Sequence, residues 1–119
     1  MEKDMSVLNI EVASLATSAA RAVAAMETGE PQGRYLTFES VEALIRGLSG
    51  HRLAVLRAML GRKEVGVREL ARELRRDVRA VHNDVAALAG FGVLEKSPAG
   101  KLSCPCAEVH CGFFLKQAA

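Results

Sequence analysis

The sequence predicts a mainly α fold with a small β component, of the α+β class. Three observations carry that expectation. Two short amphipathic helical patterns meet at a polar junction inside the stretch Val67 to Lys96. Further helical periodicities precede them. Short extended runs stand near both ends of the chain, and two more flank the Pro98-Ala99-Gly100 turn.

In chain order, Ser6–Ala13 alternates Val7, Asn9 and Glu11 against Leu8, Ile10 and Val12, the pattern of a half-buried strand. Ser14–Glu27 is expected to be helical: seven alanines lie between Ala13 and Ala25, and Ala is the best helix former. Leu15, Ala19, Ala22 and Met26 make one stripe, widened by Val23. That stripe suits a dimer interface or a cover for the helix's own sheet. Thr28–Gly33 is a loop by its Gly and Pro. Arg34–Phe38 is a short extended run. Ser40 is positioned to cap a helix over Val41–Leu48, with Glu42 in its first turn. Ser49 or Gly50 opens the next helix, His51–Gly61, with Leu53, Leu56, Met59 and Leu60 on one face.

The organising stretch follows. Val67, Leu70, Ala71 and Leu74 place four apolar residues on one helical face. Asp77 is a candidate cap for a second helix, 78–90, whose core set is Val78, Val81, Val85 and Leu88. Gly92 supplies the stop. A helix, a tight turn and a second helix is the helix-turn-helix plan, in which the second helix enters the DNA major groove. Arg79, Ala80, His82 and Asn83, with Ala86 at the margin, face away from the valines. Arg reaches guanine, Asn binds adenine through two hydrogen bonds, and Ala approaches a thymine methyl. A solvated amphipathic helix in a small helical domain is the plain alternative. Val93–Ser97 and Lys101–Cys104 read as a hairpin, with Lys96 and Lys101 beside its tip for phosphate contact. Val65-Gly66-Val67 is expected to bridge to it. Ala107–Lys116 reads as a last strand with Val109, Cys111, Phe113 and Leu115 on one face. It pairs with the N-terminal strand of its own chain or of a partner's, and the sequence leaves both open.

The runs VRELAREL at 67–74, DVRAVHNDVAAL at 77–88 and FGVLEK at 91–96 resemble winged helix-turn-helix transcriptional regulators of the MarR and ArsR superfamily. Small predicted regulators, some antitoxin-like, are the nearest in flavour. The resemblance extends from about Phe38 to Leu115. It implies a winged fold with N- and C-terminal strand and helix extensions. It also implies a reading helix at 78–90 and a backbone-touching wing at 93–104. The junction departs from the group: Arg75-Arg76 stands where Gly is frequent, so if the backbone there needs positive φ, Arg75 adopts it at some cost. The expected division is 1–38 as a dimerisation arm, 39–104 as the DNA-binding domain and 105–119 as a C-terminal strand and tail.

Charge agrees with that division. Residues 1–45 carry a net −4, residues 46–101 a net +6, and residues 102–119 balance at zero. Arg68, Arg75 and Arg76 are further backbone-contact candidates. No apolar run approaches the ~20 residues of a membrane span. The N-terminus lacks the basic-then-apolar pattern of a secretory signal. Three cysteines complete no disulfide framework, which with the DNA reading favours a reducing cytoplasm.

Cys104, Cys106, His110 and Cys111 fall within eight positions and raise a zinc or thiol-sensing alternative. Their spacing is not the usual CxxC, and strand parity sets Cys111 on the opposite face from the other three. Small buried hydrophobes are the competing reading of these cysteines. No glycine-rich phosphate loop, GxSxG or HExxH is present, so no enzyme and no cofactor are expected. Asp84 is more suited to orienting an Arg than to acting as a base. The expected function is a DNA-binding transcriptional regulator, a repressor, acting as a homodimer on duplex DNA. The alternatives are a protein-interaction module, with a toxin-like protein as partner, or a thiol or metal sensor on the same scaffold.

Overall fold

A computed structural model describes residues 6–30 and 33–118. Pro31 and Gln32 of the expected loop lie outside the described residues. The fold is mixed α and β. Its elements are β1 (Val7–Val12), α1 (Leu15–Thr28), β2 (Arg34–Phe38), α2 (Val41–Gly47), α3 (Gly50–Met59), α4 (Val67–Leu74), α5 (Val78–Gly90), β3 (Glu95–Lys96), β4 (Leu102–Ser103) and β5 (Glu108–Gly112). The chain divides into two compact units, Met1–Arg46 with Val109–Ala119, and Gly47–Glu108. The expected boundaries at 38/39 and 104/105 thus fall at 46/47 and 108/109.

In the first unit β1 and β2 pair in parallel, with Leu8 opposite Arg34 and Val12 opposite Phe38. Parallel strands need a crossover, and α1 supplies it. Ser14 starts that helix by accepting the Thr17 amide at 3.2 Å, and Gly29 ends it at φ 72°. β5 lies on the other side of β1 in the same chain, giving the order β2-β1-β5. Leu8 and Ile10 are buried, as the alternation of β1 requires. The opposite, polar face meets α1: Arg21 pairs with Glu11 and stacks 3.8 Å over the Tyr35 ring. Ser18, Arg21, Ala22 and Ala25 line a cleft with Gly33, Tyr35 and Thr37 on that side, whereas Leu15, Ala19 and Met26 of the expected stripe stay exposed and Ala22 lies at the cleft's edge. Ser40 caps α2, accepting the Ala43 amide at 3.1 Å.

The second unit holds the larger core. Val55, Leu56 and Met59 of α3, Leu70 and Ala71 of α4, and Val81, Val85 and Leu88 of α5 are buried. Val65, Val93, Leu94, Leu102, Cys104 and Cys106 are buried with them. Two expected core positions turn outward. Leu53 is 40% exposed because the buried arc of α3 is centred on Val55, Leu56 and Met59, which leaves Leu53 at its edge. Val78 is 38% exposed because it is the first residue after the Asp77 cap, at the rim of the helix packing.

β3 and β4 pair antiparallel, Glu95 with Ser103 and Lys96 with Leu102. Ser97 closes their turn: its amide donates to the Lys101 carbonyl at 2.8 Å and its hydroxyl accepts the Lys101 amide at 3.1 Å. Val65 bridges to Leu102 through two 2.8 Å hydrogen bonds. The pairing continues as Cys104 donates to Arg62 and Gly61 to Cys106, which draws both cysteines into the core. No helix among the described residues is long and apolar enough to cross a membrane.

Candidate nucleic-acid interface

The junction between α4 and α5 is a helix C-cap joined directly to an N-cap. Arg75 is left-handed, φ 54° and ψ 46°, so the Arg75 and Arg76 amides both fold back to donate to the Ala71 carbonyl. Asp77 then accepts the Ala80 amide at 3.1 Å and starts α5. Two residues, Arg75 and Arg76, thus separate the end of α4 from the cap of α5.

With Val81, Val85 and Leu88 inward, α5 presents Arg79, His82, Asn83 and Ala86 to solvent. Ala80 is half-buried beside them. Asp77, Val78, Arg79 and His82 line a shallow depression at the start of the helix. Periodicity alone had assigned Val78 to the core. The signal that places it here is its position next to the cap, where a helix projects past its neighbours.

Arg68, Arg75, Lys96 and Lys101 are exposed, and like Arg79 they form no ion pair with described residues. Lys101 Nζ stands 3.5 Å from where a Cβ on Gly66 would be. Gly66 is the N-cap of α4 and offers no side-chain cap, so an ammonium and free backbone amides share one place. Sequence reasoning expected Val65-Gly66-Val67 to bridge to the hairpin but did not place the Lys101 ammonium, 35 residues on from Gly66, at the start of α4.

Arg76 is placed differently from the other basic residues. Its Nη2 donates to Asp84 Oδ2 at 2.8 Å, and the side chain is 19% exposed. Arg52 of α3 brings Nε to 3.6 Å from Asp84 Oδ1 and donates Nη1 to the Gly47 carbonyl at 2.9 Å. Arg62 and Glu73 make a second, exposed pair, with two hydrogen bonds of 2.7 and 2.9 Å.

Of the four sulfur and imidazole residues, Cys104 and Cys106 are buried in the second unit, and the Cys104 thiol donates to the Cys106 carbonyl at 3.5 Å. Cys111 is exposed, and partial desolvation pushes its thiol above the ordinary value. Among the described residues no group of three or more His, Cys, Asp or Glu is arranged to hold a metal ion.

The family model named HVO_A0114 matches residues 47–111, more than half of the chain. The chain belongs to the HVO_A0114 family. No curated protein and no solved structure matches it. The HVO_A0114 match begins at Gly47, where the second compact unit begins, and runs three residues past that unit's end. It therefore contains α3, α4, α5, the β3-β4 hairpin and every residue of the candidate interface.

Proposed function

We propose that this chain is a sequence-specific DNA-binding transcriptional regulator with a winged helix-turn-helix in its second unit. The carrying observation is the outward face of α5, where Arg79, His82 and Asn83 stand together in solvent while Val81, Val85 and Leu88 anchor the helix behind them. Such a face matches the major groove: Arg for guanine O6 and N7, Asn for adenine N6 and N7, and exposed Val78 and Ala86 for thymine methyls. Lys101 beside the uncapped N-terminus of α4 provides a phosphate contact of ammonium and backbone amides together. Lys96, Arg68 and Arg75 add sequence-independent phosphate contacts. One α5 reaches only a few base pairs, so the functional unit is a two-fold dimer on a palindromic site, joined through the first unit and acting as a repressor.

The test is selection of bound sites from random duplex DNA, followed by titration of the selected duplex over a range of salt. The wild-type chain retains a defined motif, with log K falling linearly against log salt. Asn83→Ala weakens the selected duplex by about 1–3 kcal/mol and relaxes one base position. Lys96→Gln weakens all duplexes alike and lowers the salt slope by about one. A chain that enriches no motif and binds duplex without salt dependence overturns the reading.

A further inference from the structure

Asp84 lies on α5 between Asn83 and Val85, and its side chain is only 15% exposed. Its two oxygens face two guanidinium groups from different places in the fold. Oδ2 accepts from Arg76, in the turn that precedes α5, at 2.8 Å. Oδ1 faces Arg52, on α3, at 3.6 Å. Arg52 is itself held by the Gly47 carbonyl at 2.9 Å. One carboxylate therefore ties α5 to α3 and to its own leading turn. The arrangement is also unbalanced, with two cations on one anion. Arg76 Nη1 is buried with no hydrogen-bond partner among the described residues. Without Asp84 that guanidinium has no charge to hold it inside, and its neighbour in the chain is exposed Arg75.

We propose that Asp84 is a positioning residue of the DNA-reading surface: it fixes the orientation in which α5 presents Arg79, His82 and Asn83, and it withholds Arg76 and Arg52 from the phosphate backbone. This inference rests on the duplex-DNA reading above. It gives the two kinds of binding opposite signs. Loss of Asp84 frees a cation next to the interface, so sequence-independent affinity rises and the salt slope steepens by about one per released arginine. The same loss lets α5 shift, so contacts to base edges, which tolerate little misplacement, weaken. A residue that served stability alone would lower both affinities together.

The experiment uses the full chain as wild type, Asp84→Asn and Arg52→Gln, each checked for folding by its thermal transition. Fluorescence anisotropy follows binding to the selected duplex and to a scrambled duplex at several salt concentrations. For Asp84→Asn the scrambled duplex binds severalfold tighter, and the ratio of selected to scrambled affinity falls about tenfold. Arg52→Gln cuts the α3 side of the bracket and leaves Arg76 on Asp84. Its ratio falls by a smaller factor and its salt slope stays at the wild-type value. If Asp84→Asn does not fold, Arg52→Gln decides, and an unchanged ratio overturns the proposal. A folded Asp84→Asn with an unchanged ratio, or with both affinities lowered in parallel, also overturns it while leaving the duplex-DNA reading intact. A wild-type chain that shows no salt-dependent binding to any duplex removes the reading and this inference together.

Discussion

Helices α1 and α5 are of similar length and both are rich in alanine, yet they are held in opposite ways. α5 buries Val81, Val85 and Leu88 against the core of the second unit. α1 buries no residue: it rests on the polar face of its sheet through the Arg21–Glu11 pair and the stacking of Arg21 on Tyr35. Leu15 and Met26, the ends of its apolar stripe, are 75% and 82% exposed. The difference teaches that intrinsic propensity makes either helix, whereas apolar burial on one face is what fixes a helix in place. A helix fixed by its core leaves its outer face free for a rigid contact. A helix with its apolar stripe outward is suited to covering by another surface, which here we take to be a second copy.

The largest expected effect breaks the stronger side of that contrast. Leu88→Ala empties a fully buried site between the helices of the second unit, and such truncations cost about 2–5 kcal/mol. Met26→Ser and Leu15→Ser remove side chains that touch little, so the unfolding free energy of the monomer changes by less than about 0.5 kcal/mol. The same two changes weaken the proposed dimer, which sedimentation over a range of concentrations measures. A thermal transition lowered equally by Leu88→Ala and Met26→Ser would mean that α1 packs as α5 does. Truncation before Arg34 is a poorer test, because it deletes β1, the central strand of β2-β1-β5.

Local signals were the legible ones. The expected helix 78–90 and the observed Val78–Gly90 coincide, because Asp77 and Gly92 mark both ends with side-chain and backbone chemistry that needs no distant partner. The cap at Ser40 and the helix start at Ser49 were readable for the same reason, whereas Ser14, expected as the first helical residue, is the cap of α1. Features that depend on distant chain were not. Nothing in the periodicity of α3 chooses Val55 over Leu53, since only the position of α4 and α5 decides which is inner. The sequence placed the last strand beside the N-terminal one but left open whether within one chain, as observed across about a hundred residues, or between two. Asp84 was readable as a residue that orients an arginine, and Arg76 is one of its partners. Arg52, the other, sits 32 residues away on another helix.

A second expected effect sharpens a comparison inside the second unit. α4 and α5 end in the same way: the residue in the left-handed position is followed by an amide that reaches back five residues, Arg76 to Ala71 and Val93 to Leu88, each at 3.0 Å. In α5 the left-handed residue is Gly92, at φ 81°, and in α4 it is Arg75, at φ 54°. A side chain in that region costs about 1–2 kcal/mol, partly offset by the greater freedom that glycine loses on folding. Arg75→Gly is therefore expected to stabilise the fold by about 0.5–1 kcal/mol in denaturant unfolding, and to weaken duplex binding at low salt by removing an exposed cation. Loss of stability in Arg75→Gly would show that the arginine side chain holds the turn by contacts that outweigh the strain.

The smallest expected effect concerns charge at the edge of that same unit, where the contrast with apolar burial is sharpest. Hydrogen bonds from Arg62, the largest cause, hold the Glu73 carboxyl below its ordinary range. Attraction to the Arg62 charge acts in the same direction, and desolvation opposes both. A carboxyl whose folded pKa lies below its unfolded value binds fewer protons in the folded chain. Its contribution is present above the unfolded carboxylate range and disappears as the pH falls through the folded value. Both side chains are more than a third exposed, so solvent and salt screen the pair. Glu73→Gln should leave the neutral-pH transition nearly in place and flatten the acid limb of transition temperature against pH, from the ordinary glutamate value of ~4.3 downward. Circular dichroism melts across that range check it. A neutral-pH loss comparable to that of Leu88→Ala would place a surface ion pair on a level with the core and undo the ranking of forces drawn from α1 and α5.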